Sequence, residues 1–449
     1  FKQKTAYEIG VRLVGSEMCI RDSYEAGAFP GAPIAGGMSC IFAAYDIENL
    51  LIDGFDVLVN KPKTCPYRAP GGLPAAFASE SIVNELAEKL NMDPIQFRLQ
   101  NAASEGSRRA DGTINPVIGA QETLKVALSH PHYKSELKGS SVGRGVAIGF
   151  WKNGGNPSSC NLSINSDGTV SMVEGSADVC GNRAGLAMQA AEVLGIPAED
   201  VIPKIGDTDS VGYTAQTGGS RVTFATGWAA YNAAEELISK LRIRAAKIWG
   251  INPKDVTYKL GEVISVSDPE LSMTFKEIAA ELNNSGGPIS ASANVMPSGV
   301  GGAYSVQICD VEVDKETGKV TILRWTVIQD VGRAVHPSYV EGQMQGGVVQ
   351  GIGWALHEGY VYDEHGGMSN TTLLDYRMPV ALDVPMMESV IVEVANPGHP
   401  FGVRGVGEAP IVPPAAAIGN AIKDALGIRM TELPMTSGKL YEAINSSDA

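Results

Sequence analysis

Apolar positions at helical spacing appear over 75–91, where Ile82, Val83, Leu86 and Leu90 predict one buried face. Asp93 followed by Pro94 supplies an N-cap and a first-turn proline for a second helix reaching about Asn101. Upstream, residues 24–60 are rich in Gly and Pro and turn strand-like at 41–45 and 57–59. The polar, Gly-containing stretches 104–113 and 135–145 predict surface loops, the second marking a domain boundary. Beyond it, residues 160–165 and 169–174 flank Ser-Asp-Gly, and residues 304–314 and 319–329 flank Lys-Glu-Thr-Gly, two hairpin signals. Helices are predicted at about 184–194, 338–357 and 415–426, with a long Ala-rich one over 220–249 carrying Leu237, Leu241, Ile243 and Ile248. Hairpins interleaved with helices, without a β-α-β rhythm, predict an α+β fold of mixed sheets and packed helices.

The chain divides into 24–140 and 141–449, with residues 1–23 set apart. Residues 14–23 have the form of a translated sequencing-adapter scar, the alternative being an ordinary amphipathic first helix, and no function is assigned to them. The sequence starts at Phe1 with no initiator Met, no basic n-region and no apolar h-region, and is expected to be a fragment's start and not a signal peptide.

At 449 residues and 44% hydrophobic content, the chain can bury a large core without a disulfide or metal staple. Its net charge of −15, with no Lys/Arg cluster, disfavours nucleic acid and anionic membranes as partners. No apolar run approaches the ~18 residues of a membrane span. The six cysteines are scattered with no C-x-x-C pair, which supports neither a disulfide framework nor a zinc or iron–sulfur site and fits a reducing, cytoplasmic compartment. Glycine departs from the norm: 52 of 449 is roughly 12% against a typical ~7%, without a collagen period. Such glycines mark backbone in unusual conformations or in close approach to something.

Those glycines concentrate around four candidate loops. In Tyr67-Arg68-Ala69-Pro70-Gly71-Gly72 the arginine offers a planar fork of donors to an anion or oxo group, or is a plain surface arginine. Cys180-Gly181 and Thr217-Gly218-Gly219-Ser220-Arg221 each open a helix, where free N–H groups and the dipole attract phosphate or a polar ring; helix caps and tight turns are the alternative. No phosphate loop with its lysine occurs, and Gly143-Arg144-Gly145 only begins like a dinucleotide fingerprint. The fourth set is C-terminal. Residues 342–353 put Gly351 and other glycines on a predicted helix with Gln350 as a polar member, and Glu408 is the only acid in 402–410. A carboxylate in apolar surroundings has a raised pKa and suits a general base, although a lone loop glutamate is more often solvated. The histidines lack ligand spacing, so no protein-ligated metal is predicted.

Taken together and in order, these stretches are similar to the molybdenum-binding large subunit of the xanthine dehydrogenase/aldehyde oxidase family of molybdenum hydroxylases, in its C-terminal part. The matching segments are 67–72, 93–101, 175–197, 206–221, 341–358, 375–379 and 402–410, continuing to Leu433-Pro434, so the resemblance covers about 24–445. It implies two molybdopterin-binding domains, the first incomplete, and molybdenum held by the dithiolene of a molybdopterin, often the cytosine dinucleotide form. It implies Glu408 as the catalytic base, Gln350 beside the apical oxo group and Arg68 facing the metal. Gly71, Cys180, Gly181, Gly218, Gly219, Ser220, Gln350 and Gly351 are the implied cofactor contacts. Hydroxylation of an aldehyde or N-heterocycle with water as oxygen source is the implied activity. Iron–sulfur and FAD subunits, in a possible dimer of heterotrimers, would take the electrons.

Three departures qualify this. Val179-Cys180-Gly181 replaces the usual Gly-Gln-Gly. Ala69 stands where copper-containing carbon monoxide dehydrogenases place a cysteine, and Pro70 stands near the aromatic residue of purine hydroxylases. The competing reading is a truncated, cofactor-free chain acting at most as an assembly or interaction module.

Overall fold

The computed structural model describes residues 33–57 and 64–447. The expectations for residues 1–23, and for a strand through Leu58 and Val59, lie outside the described residues. The chain opens with α1 (Ile34–Cys40), α2 (Gly72–Lys89), α3 (Pro94–Gln100), α4 (Ala120–Ser129) and the single turn α5 (Pro131–Lys134). Then come β1 (Val142–Trp151), β2 (Ser158–Ile164), β3 (Val170–Glu174), α6 (Asn182–Leu194), β4 (Val201–Ile205), the short α7 (Thr208–Val211) and the 28-residue α8 (Val222–Trp249). Small strands β5 (Val256–Lys259), β6 (Glu262–Ser265) and β7 (Ser272–Thr274) lead to α9 (Phe275–Ser285) and β8 (Ser290–Val295). The hairpin β9 (Ala303–Asp314) and β10 (Lys319–Asp330), α10 (Pro337–Leu356), β11 (Met387–Val392), α11 (Pro414–Leu426) and α12 (Ser437–Ser447) follow.

The strands form three sheets, ordered β1-β9-β10-β11, β4-β3-β2-β8 and β5-β6-β7. Each of the two larger ones is mixed, because β10 pairs parallel with β11 and β3 parallel with β4 while their other neighbours are antiparallel. Both predicted hairpins are present in these sheets. The fold is α+β. Among the described residues no helix is long and apolar enough to cross a membrane.

Two large hydrophobic cores organise the chain. One gathers Leu73 and Phe77 of α2, Ile148 of β1, Tyr304 and Ile308 of β9, Trp325 of β10 and Ile418 of α11. The other gathers Leu162 of β2, Leu186 of α6, Leu237 and Leu241 of α8 and Ile278 of α9. The first core therefore joins residues on both sides of the second in sequence, and the polar loop at 135–141 does not separate them.

The buried face of α2 is not the one predicted. Leu73, Ala76, Phe77, Glu80, Val83 and Ala87 face inward, while Ile82, Leu86 and Leu90 are exposed. The reason is Glu80. Its carboxylate is buried against Arg98 (2.8 Å), and also takes the Ile148 amide (2.9 Å) and the Tyr45 hydroxyl. A paired, hydrogen-bonded acid can be buried, and this one rotates the helix away from the face that apolar counting selects. The expected strand at 41–45 is a run of turns, with Tyr45 making only an isolated bridge to Ala102. By contrast, Asp93 caps α3 as its sequence predicts, Oδ1 accepting the Ile95 and Gln96 amides at 2.9 and 2.8 Å.

Several glycines are explained by close packing alone. A Cβ on Gly145 of β1 would lie 1.9 Å from the Ala417 carbonyl oxygen, and one on Gly143 2.2 Å from that of Ala421. The fingerprint-like Gly-Arg-Gly is thus the groove in which α11 lies.

Candidate active site

Loops from both cores converge on a cavity of about 910 Å³. Its wall includes Arg68 from the loop ahead of α2, Cys180 and Gly181 ahead of α6, and Gly218, Gly219 and Ser220 ahead of α8. Glu408, from the loop ahead of α11, completes the set. Seven of the residues singled out in the sequence therefore share one wall.

Arg68 is held from three directions. Its Nε donates to the Gly407 carbonyl, its Nη2 to the Gln343 carbonyl (2.9 Å) and side chain (3.3 Å), and its Nη1 to Gln350 Oε1 (3.3 Å). Desolvation lowers its pKa, and Glu408 chiefly opposes this. Beside it, Tyr67 stacks on Trp354 of α10 with centroids 5.3 Å apart and planes 3° from parallel, which fixes the loop against the helix.

Glu408 takes a hydrogen bond on each carboxylate oxygen: the Ala69 amide on Oε1 (3.0 Å) and the Ser220 hydroxyl on Oε2 (2.9 Å). Burial pushes its carboxyl above the usual range, and those two donors and Arg68 restrain the rise. Its position depends on a second network. Arg404 and Asp330 form a fully buried ion pair at 3.1 Å. Arg404 also donates to the carbonyls of Val394 (3.1 Å), Gly302 (3.2 Å) and Val117 (2.6 Å), tying the base of the Glu408 loop to three other segments.

Both helix starts face the cavity. Gly181 (φ +76°) caps α6, and Gly219 (φ +74°) precedes α8, so the amides of the first turns point inward. The wall is also electropositive. Arg68, Lys152, Arg221 and Arg333 line it, Arg404 being neutralised by Asp330, and among the described residues Glu408 is the only acid on the wall, in a chain whose net charge is −15. A long, partly anionic ligand fits this chemistry. Open space supports it too. A Cβ on Gly185 would meet nothing within 4 Å, and one on Gly218 only the Gln216 Cγ at 3.8 Å.

Three expected residues are not on the wall. Gly71 packs against α1, where a Cβ would fall 2.3 Å from the Pro33 carbonyl oxygen. Gly351 makes room for Pro414 at the crossing of α10 with the start of α11 (2.6 Å). Gln350 stands behind Arg68 and reaches the cavity only through it. The glutamine of α10 that faces the cavity is Gln343, two helical turns earlier. Sequence reasoning also missed Lys152 and Asn153, because the end of β1 was hidden in a glycine-rich stretch. Among the described residues no group of three or more His, Cys, Asp or Glu could hold a metal ion directly.

Comparison with known proteins places this geometry. Models of the molybdopterin cofactor-binding domain match residues 120–385 and 18–102. A putative xanthine dehydrogenase molybdenum-binding subunit of Escherichia coli is 31% identical over 409 residues, which is 85% of this chain and 54% of that protein. The aldehyde oxidoreductase molybdenum-binding subunit of the same organism is 28% identical over 410 residues, 85% of this chain and 53% of that one. Among solved structures, quinoline 2-oxidoreductase from Pseudomonas putida superposes with a TM-score of 0.76 at 25% identity, covering 85% of this chain and 53% of that chain. Aldehyde oxidoreductase from Desulfovibrio desulfuricans gives 0.75 at 28% identity, covering 92% and 45%. The chain spans about half the length of the curated relatives it matches. With a family model over more than half its residues, the chain belongs to the molybdopterin cofactor-binding family, among the molybdenum-binding large subunits of xanthine dehydrogenase and aldehyde oxidoreductase type.

Proposed function

We propose that the cavity holds a molybdenum–molybdopterin cofactor and that the protein serves in hydroxylation of an aldehyde or an N-heterocyclic or aromatic carbon. The observation that carries this reading is the convergence of Arg68, the two helix starts and a single raised-pKa acid, Glu408, on one electropositive cavity with open glycine walls. Bound there, the group supplies a two-electron acceptor and a Lewis acid that activates water, with oxygen derived from that water.

The chain's own residues divide the remaining work. The first-turn amides of α6 and α8, reached past Gly181 and Gly218–Ser220, bind the anionic and polar parts of the cofactor. Arg68 would present its guanidinium to the bound group, oriented by Gln343 and Gln350. Gln350 thus acts as a support for Arg68, and Gln343 is the amide nearer the cavity. Glu408 accepts the proton released when activated water attacks the substrate carbon, and its raised pKa matches it to that task. The cytosine dinucleotide form of the cofactor, iron–sulfur and FAD partner subunits, and a cytoplasmic setting complete the proposal. Ala69 is buried (2% exposed) and offers no thiol, which favours aldehydes and heterocycles over a copper-dependent carbon monoxide chemistry.

The test is metal and pterin analysis of the assembled complex. It is joined to a turnover screen over aldehydes, nicotinate-like heterocycles and aromatic thioesters with an artificial electron acceptor. Molybdenum and pterin near one per chain with turnover of one class supports the proposal; a folded complex with neither overturns it.

A further inference from the structure

The resemblance gives Ser220 the role of a cofactor contact, but its hydroxyl is turned elsewhere. Ser220 Oγ accepts a hydrogen bond from the Glu408 amide at 3.0 Å and donates one to Glu408 Oε2 at 2.9 Å. A serine hydroxyl has one proton to give, and it is committed to the carboxylate. The backbone around it is correspondingly unusual. Ser220 has φ +57°, the left-handed region that disfavours any residue with a Cβ, and it follows Gly219 at φ +74°. Glycine would occupy this position with less strain, yet could not carry the hydroxyl. The approach is enforced from the other side as well, because a Cβ on Gly405 would lie 2.2 Å from the Ser220 carbonyl oxygen. The two loops touch backbone to backbone, and the strained serine sits where its side chain spans from amide to carboxylate of one residue.

We propose that Ser220 is a positioning residue for Glu408, its hydroxyl clamping the main chain and the carboxylate of that residue so that the base is held at one orientation toward the cavity. The inference rests on the reading of Glu408 as the base, but its geometry does not. The other groups around the carboxylate are the Ala69 amide, the Arg68 guanidinium, the Trp151 indole and the Cys40 thiol of α1. Burial pushes that thiol up to about 12, so it is neutral near pH 7. Among the described residues Ser220 alone hydrogen-bonds both the amide and the side chain of Glu408, and removing its hydroxyl leaves burial less opposed.

The test uses two variants with opposite strain. Ser220→Gly relieves the left-handed backbone and Ser220→Ala retains the strain, while both lack the hydroxyl. Protonation of Glu408 is followed in the whole chain by infrared difference spectroscopy, its carboxyl band identified as the one absent from Glu408→Gln. Both variants should move the titration midpoint upward by the same amount while their melting temperatures separate, the glycine variant being the more stable. A midpoint that stays put in either variant, or that follows stability instead of the hydroxyl, overturns the proposal. In the cofactor-loaded complex kcat should fall roughly 10- to 100-fold, the scale of a modest misplacement of a reacting group, with molybdenum content and KM unchanged. An upward shift in the infrared midpoint without any turnover in the unsubstituted complex would retain Ser220 as the clamp and remove Glu408 as the base.

Discussion

Gly185 gives a perturbation whose two effects have opposite signs if the cavity is a cofactor cradle. It lies in the first turns of α6, is buried, and lines the cavity, yet a Cβ there would have no neighbour within 4 Å. In a helix interior, glycine is about 1 kcal/mol less favourable than alanine. Gly185→Ala therefore meets no protein atom and should stabilise the empty chain by up to about 1 kcal/mol, a rise in melting temperature of roughly 1–2 °C for a chain of this size. Gly185→Leu keeps the helix propensity and pushes a branched side chain into the space. If a pterin occupies that space, overpacking costs about 1–3 kcal/mol, which weakens its hold roughly 5- to 150-fold. Thermal unfolding of the chain and molybdenum and pterin content of the complex measure the two sides. A leucine variant that is at least as stable as the unsubstituted chain and loads poorly supports the argument. Full loading of the leucine variant, or a loss of stability on substitution by alanine, would refute it.

Other perturbations follow from the same geometry. Because burial raises the folded-state pKa of Glu408 above its unfolded value, the ionised form opposes folding once pH exceeds both values, and that penalty disappears below the unfolded pKa. Glu408→Gln should thus melt at or above the unsubstituted chain near pH 7, with the gap closing on acidification; a gap that widens toward acid contradicts the burial argument. Arg404→Met strands the Asp330 carboxylate in a fully buried site and should cost about 3–5 kcal/mol in urea unfolding; adding Asp330→Leu removes the stranded charge but leaves the Gly119, Gly332 and Val394 amides without their acceptor, so it should recover only a small part. Gly145→Ala drives a methyl group into the α11 backbone and should destabilise by about 1–3 kcal/mol, read in the same unfolding experiment.

What the sequence could tell depended on whether a signal had one physical cause or two. Hairpins and caps have one cause, and the strands around Ser-Asp-Gly and Lys-Glu-Thr-Gly, with the Asp93 cap, formed as read. Glycine has several. Gly185 and Gly218 leave open space on the cavity wall, whereas Gly181 makes room for the Tyr339 ring and Gly71, Gly145 and Gly351 make room for a neighbouring chain segment, and the letter alone does not separate them. Burial of charge defeats apolar counting in the same way. Glu80 turns α2 by pairing with Arg98, a residue eighteen positions later on another helix, so no local pattern shows it. The site residues lie up to 340 positions apart, and their meeting was carried by the order of seven short motifs, since no spacing rule could bring Arg68 to Glu408. Gln343 was within reach, being seven residues before Gln350 and so on the same face of α10.

The central claim, that this cavity holds a molybdenum cofactor served by Glu408 as base, is tested most directly by Glu408→Gln in the assembled complex, with metal content and turnover measured on one preparation. The structure predicts molybdenum and pterin at the level of the unsubstituted complex together with a loss of turnover on the order of 10²-fold or more. Turnover surviving in the glutamine variant at full metal content, or an unsubstituted complex that folds and carries no molybdenum, would contradict it.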